Sequence, residues 1–149
     1  MKRKPSPAPS VDDLAKATDP GHLVLFQRLR EQVLALGGTE ERTMYDGLDQ
    51  AWTPAYYQGT RQLFHVHLGS GEHLGLSATI SLNTKKIVPR VLESSAIKKE
   101  IRDRVEKARD FRGTKWVFFS LERPADVESF MELVRVKSRV LRTEPKSGP

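Results

Sequence analysis

The fold is decided by residues 62–82, which read QLFHVHLGSGEHLGLSATISL. Apolar and polar side chains alternate on both sides of the central Gly-Ser-Gly, and a period of two is typical of a strand with one buried face. The pattern predicts a β-hairpin whose strands, 62–68 and 72–82, are joined by a loop at residues 69–71. Phe64, Val66 and Leu68 lie on its buried face.

The same alternation predicts the register of the hairpin. Both apolar sets must reach one core, so even-numbered residues oppose even-numbered residues. With a three-residue loop, His67 lies opposite His73, and His65 shares their outer face. Three interpretations are open for these imidazoles: a metal site, a ligand-facing cluster without a metal, or a plain solvated strand face.

Helix and strand patterns flank the hairpin. Asp19 and Pro20 predict the cap and first residue of a helix that ends at Gly37-Gly38. Three further elements follow from periodicity and turn signals: a helix capped by Ser94 or Ser95, a strand over 116–121 and a helix from Pro124. An extended aromatic segment at 52–57 contains Pro54, which favours a sheet edge or a loop. The order contains no repeated βαβ unit, so we predict an α+β fold: an antiparallel sheet with helices packed on it, as a two-layer sandwich.

Length and composition set the domain organisation. A chain of 149 residues suits one domain with a real core. We predict a disordered basic, Pro-rich arm over residues 1–18, with room for one helical turn at Val11, Leu14 and Ala17, a single α+β domain over 19–142 and a frayed tail over 143–149. Without cysteine, disulfides, thiolate nucleophiles and Cys-based metal sites are excluded. No apolar run approaches the roughly 18 residues that span a bilayer, so we expect a soluble cytoplasmic protein without a membrane partner.

The charge distribution is uneven along the chain. The net charge is +6, and residues 84–149 carry 17 Lys and Arg against 10 Asp and Glu. Acidic residues stand among the basic ones at helical spacing, as at Glu100 and Arg104, which is typical of a solvated helix face. Weak electrostatic binding of nucleic acid is therefore an alternative function, through the N-terminal arm and the basic residues Lys98, Lys99, Arg102 and Arg109.

Large aromatic residues form a second candidate set. Trp52, Tyr56 and Tyr57 precede Arg61, and aromatic side chains beside an arginine suit recognition because they combine rigid area with a polar tip. The alternative is a structural role, in which Trp52 or Tyr56 anchors a loop to the sheet. For Trp116, a core position is favoured.

Several short segments, taken in order, resemble an uncharacterised bacterial family catalogued as domain of unknown function 3788, over roughly residues 22–142. They are Trp52 with Tyr56, then Gly59-Thr60-Arg61-Gln62-Leu63-Phe64, Ser95 opening a helix, Gly113-Thr114-Lys115-Trp116 before a strand, and Leu133-Val134-Arg135-Val136-Lys137. The resemblance implies one α+β domain and carries over no catalytic residue. Its architecture is similar to the YjbR-like and frataxin-like two-layer domains, which are associated with nucleic-acid binding and iron handling respectively. The first helix here carries Arg28, Arg30 and Glu31 and lacks a row of carboxylates, so iron binding of the frataxin type is not expected.

From these observations we expect a binding module that receives a small molecule or a peptide on its outer sheet face. The predicted ligand-binding residues are His65, His67, His73, Trp52, Tyr56 and Arg61. No catalytic residue, cofactor or metal ligand is assigned. An enzyme is the third hypothesis, after nucleic-acid binding.

Overall fold

The computed structural model describes residues 7–48, 50–69 and 75–144. Within them, helices and strands follow in the order α1 (Val11–Lys16), α2 (Pro20–Leu34), β1 (Thr39–Asp46), β2 (Ala51–Gln58), β3 (Arg61–Leu68), β4 (Leu76–Asn83), α3 (Val88–Glu93), α4 (Lys99–Lys107), β5 (Asp110–Phe111), β6 (Thr114–Ser120) and α5 (Pro124–Thr143). The strands form one antiparallel sheet in the order β1-β2-β3-β4-β6-β5. The predicted single-domain α+β fold is confirmed.

Helices α2 and α5 cover one face of the sheet and form the core with it. Phe64 lies at its centre, with its ring centroid 5.1 Å from that of Tyr56 and 5.0 Å from that of Phe130 on α5. As predicted, α2 begins at Pro20, and the Asp19 carboxylate accepts hydrogen bonds from the first backbone amides of the helix. None of the helices among the described residues combines the length and the apolar character that crossing a bilayer requires.

The hairpin of β3 and β4 has the predicted faces but a longer connection. Even-numbered residues do oppose even-numbered residues, with Leu68 paired with Leu76 and Val66 with Ala78. His67 therefore lies opposite Ser77, and its predicted pairing with His73 is wrong because the strands turn over a longer segment than residues 69–71. His73 itself lies outside the described residues. A shift of the register by two residues leaves the same side chains on the buried face. The alternation therefore could not predict how long the loop is.

Strand β1 was not predicted, and its presence changes the position of β2. Residues 39–46 read TEERTMYD, which lacks a clear apolar alternation. The strand pairs with β2 along its full length, including Thr43 with Pro54. The sheet edge favoured for Pro54 is therefore wrong, because β2 lies between β1 and β3.

The predicted helix over the Ser94 region is two helices. Ser94 is the C-cap of α3, and α4 begins only at Lys99 after a cap at Lys98. A serine cap at the start of the second helix is therefore wrong. Ile101 and Val105 are buried as their four-residue spacing predicts.

Helix α1 lies within the segment for which a disordered arm was expected. Ser10 and Asp13 form a capping box at its start, and Val11 and Ala15 are buried in the core. Asp12 Oδ1 lies 2.9 Å from Arg30 Nη1 on α2. The structure thus differs from the expected arm at residues 11–16, because the apolar side chains there pack against the domain.

Deleting residues 2–18 should lower the thermal midpoint by about 5 °C or more, since burial of Val11 and Ala15 contributes about 2 kcal/mol. Differential scanning calorimetry measures the change. The matched control is deletion of residues 2–9, which keeps the Ser10 cap and should shift the midpoint by less than about 2 °C. Equal midpoints for the two truncated proteins would contradict a docked α1.

Strands β3 and β4 pair only in part. Their ladder runs from Leu68–Leu76 to His65–Thr79. On its other side β4 pairs with β6 from Ser77 to Asn83, and Arg61 and Gln62 of β3 pair with β2. The two strands consequently diverge beyond His65, and this divergence is called the strand split below.

Candidate functional site

Asp46, His65 and His67 meet on the sheet face opposite the helices, and we call these three residues the Asp46 cluster. His65 Nε2 lies 3.8 Å from Asp46 Oδ2, and His67 Nδ1 lies 4.0 Å from the same oxygen. One nitrogen from each imidazole and one carboxylate oxygen all lie within 4.8 Å of one another. The cluster therefore presents three potential metal ligands to one point.

The strand registers explain how these residues meet. His65 and His67 are two apart on β3, so their side chains point to the same face. Asp46 is the last residue of β1, which β2 separates from β3. The outer face of β2 carries small side chains there, Thr53 and Ala55, over which Asp46 reaches the imidazoles.

A second hydrogen-bonding partner orients each imidazole. His65 Nδ1 is 3.2 Å from Gln62 Oε1, and His67 Nε2 is 3.5 Å from Thr79 Oγ1. Gln62 Nε2 donates to Tyr57 Oη at 3.1 Å, which assigns the amide oxygen to the side of His65. An amide oxygen only accepts, so the neutral His65 ring carries its proton on Nδ1 and turns the lone pair of Nε2 toward Asp46.

The histidines of the cluster are buried, contrary to a solvated strand face. His65 and His67 are each 8% exposed, and their ring centroids are 4.9 Å apart in an edge arrangement. Both histidines lie on β3, which has β2 on one side and β4 on the other, so neither lies at a sheet edge. Convergence of a carboxylate and two imidazole nitrogens in such a place favours a cation, since water screens little there.

Two of the predicted ligand-binding residues lie on the other face of the sheet. Tyr56 is fully buried and donates from its hydroxyl to Glu41 Oε2 at 2.9 Å. Burial, with the Glu41 carboxylate, raises the pKa of Tyr56 above its usual range. Trp52 has the same parity on β2 and packs its ring edge-on against Tyr45. Their predicted place on the outer face is wrong, because the even-numbered residues of β2 face the helix layer.

Arg61 lies at the opposite end of β3 from His67. His67 stands six positions after Arg61 on the strand, which corresponds to a distance of about 20 Å. Arg61 contacts Glu144 and lines a cavity with Trp116. The core position favoured for Trp116 is wrong: it is 56% exposed, because its parity on β6 is opposite to that of the buried Phe119.

The basic residues of the nucleic-acid alternative lie on and beside α4. Lys99 Nζ is 3.4 Å from Asp103 Oδ2, as the helical spacing of opposite charges predicts. Arg102 is half-buried, whereas Lys98 and Arg109 are exposed. Acidic residues separate the cations on this helix, so its surface is of mixed charge.

Asp46 is the residue that sequence reasoning missed. Asp46 precedes Gly47, a pair that is typical of a turn, and it stands 19 positions before His65 in the sequence. Only the pairing of β1 with β2 and of β2 with β3 brings it to the imidazoles.

Comparisons of this chain with protein-family models, with curated proteins and with solved structures find no match. The resemblance to the family of unknown function 3788 therefore stays a prediction. The function must be argued from the site itself.

Proposed function

We propose that the protein is a metal-dependent binding module, in which the Asp46 cluster holds one divalent transition-metal ion that receives a small molecule on the outer sheet face. The observation that carries the proposal is the orientation of the cluster: one nitrogen of each imidazole faces Asp46, and the other has a hydrogen-bonding partner. Histidines that bind metals in proteins characteristically have such a second partner, which fixes the ring and its tautomer.

The donor set selects the class of ion. Two imidazoles and one carboxylate suit Zn²⁺, Ni²⁺, Co²⁺ or Fe²⁺, whereas Ca²⁺ and Mg²⁺ prefer oxygen ligands. Ligands of a tetrahedral ion at about 2.0–2.2 Å stand roughly 3.3–3.6 Å from each other. The separations of His65 Nε2 and His67 Nδ1 from Asp46 Oδ2, 3.8 and 4.0 Å, are close to this range, so small side-chain rotations complete the geometry.

The described part of the chain supplies three ligands, which leave a coordination position for a small molecule. Structural zinc sites have four protein ligands, whereas sites that exchange a ligand keep one position for water or for an added group. Near the cluster, Thr79 and Phe118 belong to the same outer face, with ring centroids of His67 and Phe118 6.5 Å apart. A ligand bound to the ion would meet this mixed polar and aromatic surface, in keeping with the small-molecule or peptide partner expected from the sequence.

Isothermal titration of the full chain with Zn²⁺ and with Ni²⁺ tests the proposal. We expect one ion per chain, and we expect Asp46→Asn and His67→Ala to raise the dissociation constant about 100-fold or more. Asp46→Asn keeps the size of the side chain and removes its charge, so a loss of binding reports coordination. Gln62→Leu, which removes only the partner of His65, should raise the dissociation constant about 10-fold to 100-fold.

His22→Ala is the matched control, because His22 Nδ1 also lies beside a carboxylate, 3.7 Å from Asp19 Oδ2, but at the exposed start of α2. This variant should bind both ions as the unaltered protein does. Adding imidazole to the Ni²⁺-loaded protein should change the nickel absorption bands, because imidazole takes the exchangeable position. Equal dissociation constants for His67→Ala, Asp46→Asn and His22→Ala would sink the proposed site.

A further inference from the structure

Helix α5 places the amine of Lys137 in the strand split. The side chain is 4% exposed, and its Nζ donates to Leu63 O at 2.9 Å and to Ser81 Oγ at 3.2 Å. Leu63 belongs to β3 and Ser81 to β4, so the amine bridges the two strands where their own ladder has ended. A lysine of the helix layer thus takes the place of backbone hydrogen bonds in the sheet.

The number of hydrogen bonds suits an uncharged amine. A neutral primary amine has two N–H groups and one lone pair, whereas an ammonium has three N–H groups. Within the part of the chain that the structure describes, Nζ has two acceptors, Leu63 O and Ser81 Oγ. Burial also lowers the pKa of Lys137 from 10.5 to about 7. Near neutral pH, Lys137 is therefore available with a nucleophilic lone pair.

The amine lines a cavity of about 440 Å³ that is large enough for a small organic molecule. Trp116 lies in its wall and is 56% exposed. Among the described residues, the charged ones that line it, besides Lys137, are Arg61, Lys86 and Glu144. Arg61 contacts Glu144, and Lys86 Nζ is 3.4 Å from Glu144 Oε1, so two cations share one carboxylate. With Lys137 uncharged, these groups leave one positive charge for an anionic ligand.

We infer that Lys137 forms an imine with a small carbonyl compound that carries a carboxylate, such as a 2-oxo acid, in this cavity. The lone pair of Nζ attacks the carbonyl carbon and forms the C–N bond, and a proton passes from nitrogen to the carbonyl oxygen. The resulting carbinolamine loses water as its C–O bond breaks, which leaves the imine and one water molecule. The step needs no oxidant or reductant. Arg61 and Lys86 hold the carboxylate of the compound.

Lys115 provides an internal comparison. It is 8% exposed, and its Nζ donates to Val105 O and Glu106 O at 2.9 and 2.7 Å. Both carbonyls belong to the last turn of α4, where the helix dipole favours a cation. A buried lysine in such a place is a helix cap, and we expect it to be unreactive toward carbonyl compounds.

Reductive trapping on the full chain tests the inference. The protein is incubated at pH 7 with glyoxylate and sodium cyanoborohydride, and the modified residues are mapped by mass spectrometry. We expect Lys137 to be modified at least about tenfold faster than Lys115 and than the exposed Lys99, because burial lowers the pKa of Lys137 to about 7. Lys137→Met should remove the fast adduct from the intact mass.

Acetaldehyde, which has no carboxylate, is the matched probe for the anion-binding part. For each aldehyde, the rate of modification of Lys137 is divided by that of Lys99. This ratio should be about tenfold higher for glyoxylate than for acetaldehyde, and Arg61→Gln should reduce the difference. Modification spread evenly over exposed lysines, or a fast adduct that persists in Lys137→Met, would overturn the inference. Equal relative rates for the two aldehydes would overturn the assigned class of ligand.

Discussion

Replacing Lys137 with methionine should raise the free energy of unfolding at pH 6 by about 3 kcal/mol. Burial lowers the pKa of Lys137 from 10.5 to about 7, which corresponds to a cost of about 5 kcal/mol for holding the protonated amine in the folded chain at low pH. Loss of the hydrogen bonds to Leu63 O and Ser81 Oγ offsets roughly 2 kcal/mol of the gain. Methionine fills a similar volume and brings no charge.

The gain should shrink as the pH rises. Between pH 7 and pH 10.5 the unfolded chain keeps the proton on Lys137 while the folded chain releases it. The unfolded state then binds more protons, so the stability of the unaltered protein rises with pH through this window. Methionine has no proton to release, and the difference between the two proteins should therefore fall toward zero or change sign by about pH 10.

Denaturation by urea at pH 6, 8 and 9.5, on the unaltered protein and on Lys137→Met, measures this difference. The control is Lys115→Met, which removes the donor to two carbonyls at the end of α4 and should destabilise the protein by about 1–2 kcal/mol. If Lys137→Met were less stable than the unaltered protein at pH 6, the proposed cost of burying the protonated amine of Lys137 would be refuted. A lysine retained at such a cost is consistent with a use for its amine.

Phe64→Ala should lower the free energy of unfolding by about 3–5 kcal/mol. Phe64 is fully buried, and its ring lies between those of Tyr56 and Phe130, which belong to the sheet and to α5. Removing it leaves a cavity between the two layers and ends both aromatic contacts. In a protein of this size the thermal midpoint should fall by roughly 10 °C.

Phe111→Ala is the control for this change, since Phe111 lies on the short strand β5 and is 58% exposed. It should cost less than about 1 kcal/mol. Thermal unfolding followed by circular dichroism measures both variants. A similar loss in both would mean that Phe64 is not at the centre of the core.

Alternation predicted the core of the hairpin correctly because its apolar and polar sets are distinct. Phe64 and Val66 are buried on the helix side, and Asp19 and Pro20 mark the start of α2. On β6, by contrast, Trp116 and Phe118 alternate with apolar Val117 and Phe119. Both faces of that strand are apolar, so the pattern could not show which set is exposed.

The candidate site was predicted only in part, for a physical reason. His65 and His67 share a face because they are two apart on one strand, which the sequence shows directly. Asp46 joins them through two successive strand pairings, and neither pairing has a local signal in the sequence. The strand split around Lys137 likewise depends on where the ladder between β3 and β4 ends. Long-range pairing therefore decides both sites, whereas local periodicity decides only the faces.

Helix α1 shows a further limit of composition. The Pro-rich start of the chain predicts disorder, but Ser10 and Asp13 stand at the spacing of a capping box before an apolar pair. The capping box is a local signal that outweighs average composition over six residues.

The polarity of β1 has a consequence for association between molecules. β1 stands at one end of the strand order, and its outward-facing backbone groups could template a strand from another chain. β1 carries four charged residues, Glu40, Glu41, Arg42 and Asp46, and the strand at the other end, β5, has only two residues. Charge and shortness at the two sheet edges discourage strand addition and amyloid-like stacking. The charged sequence of β1, which lacks the apolar alternation that would have predicted a strand, thus discourages aggregation through this edge.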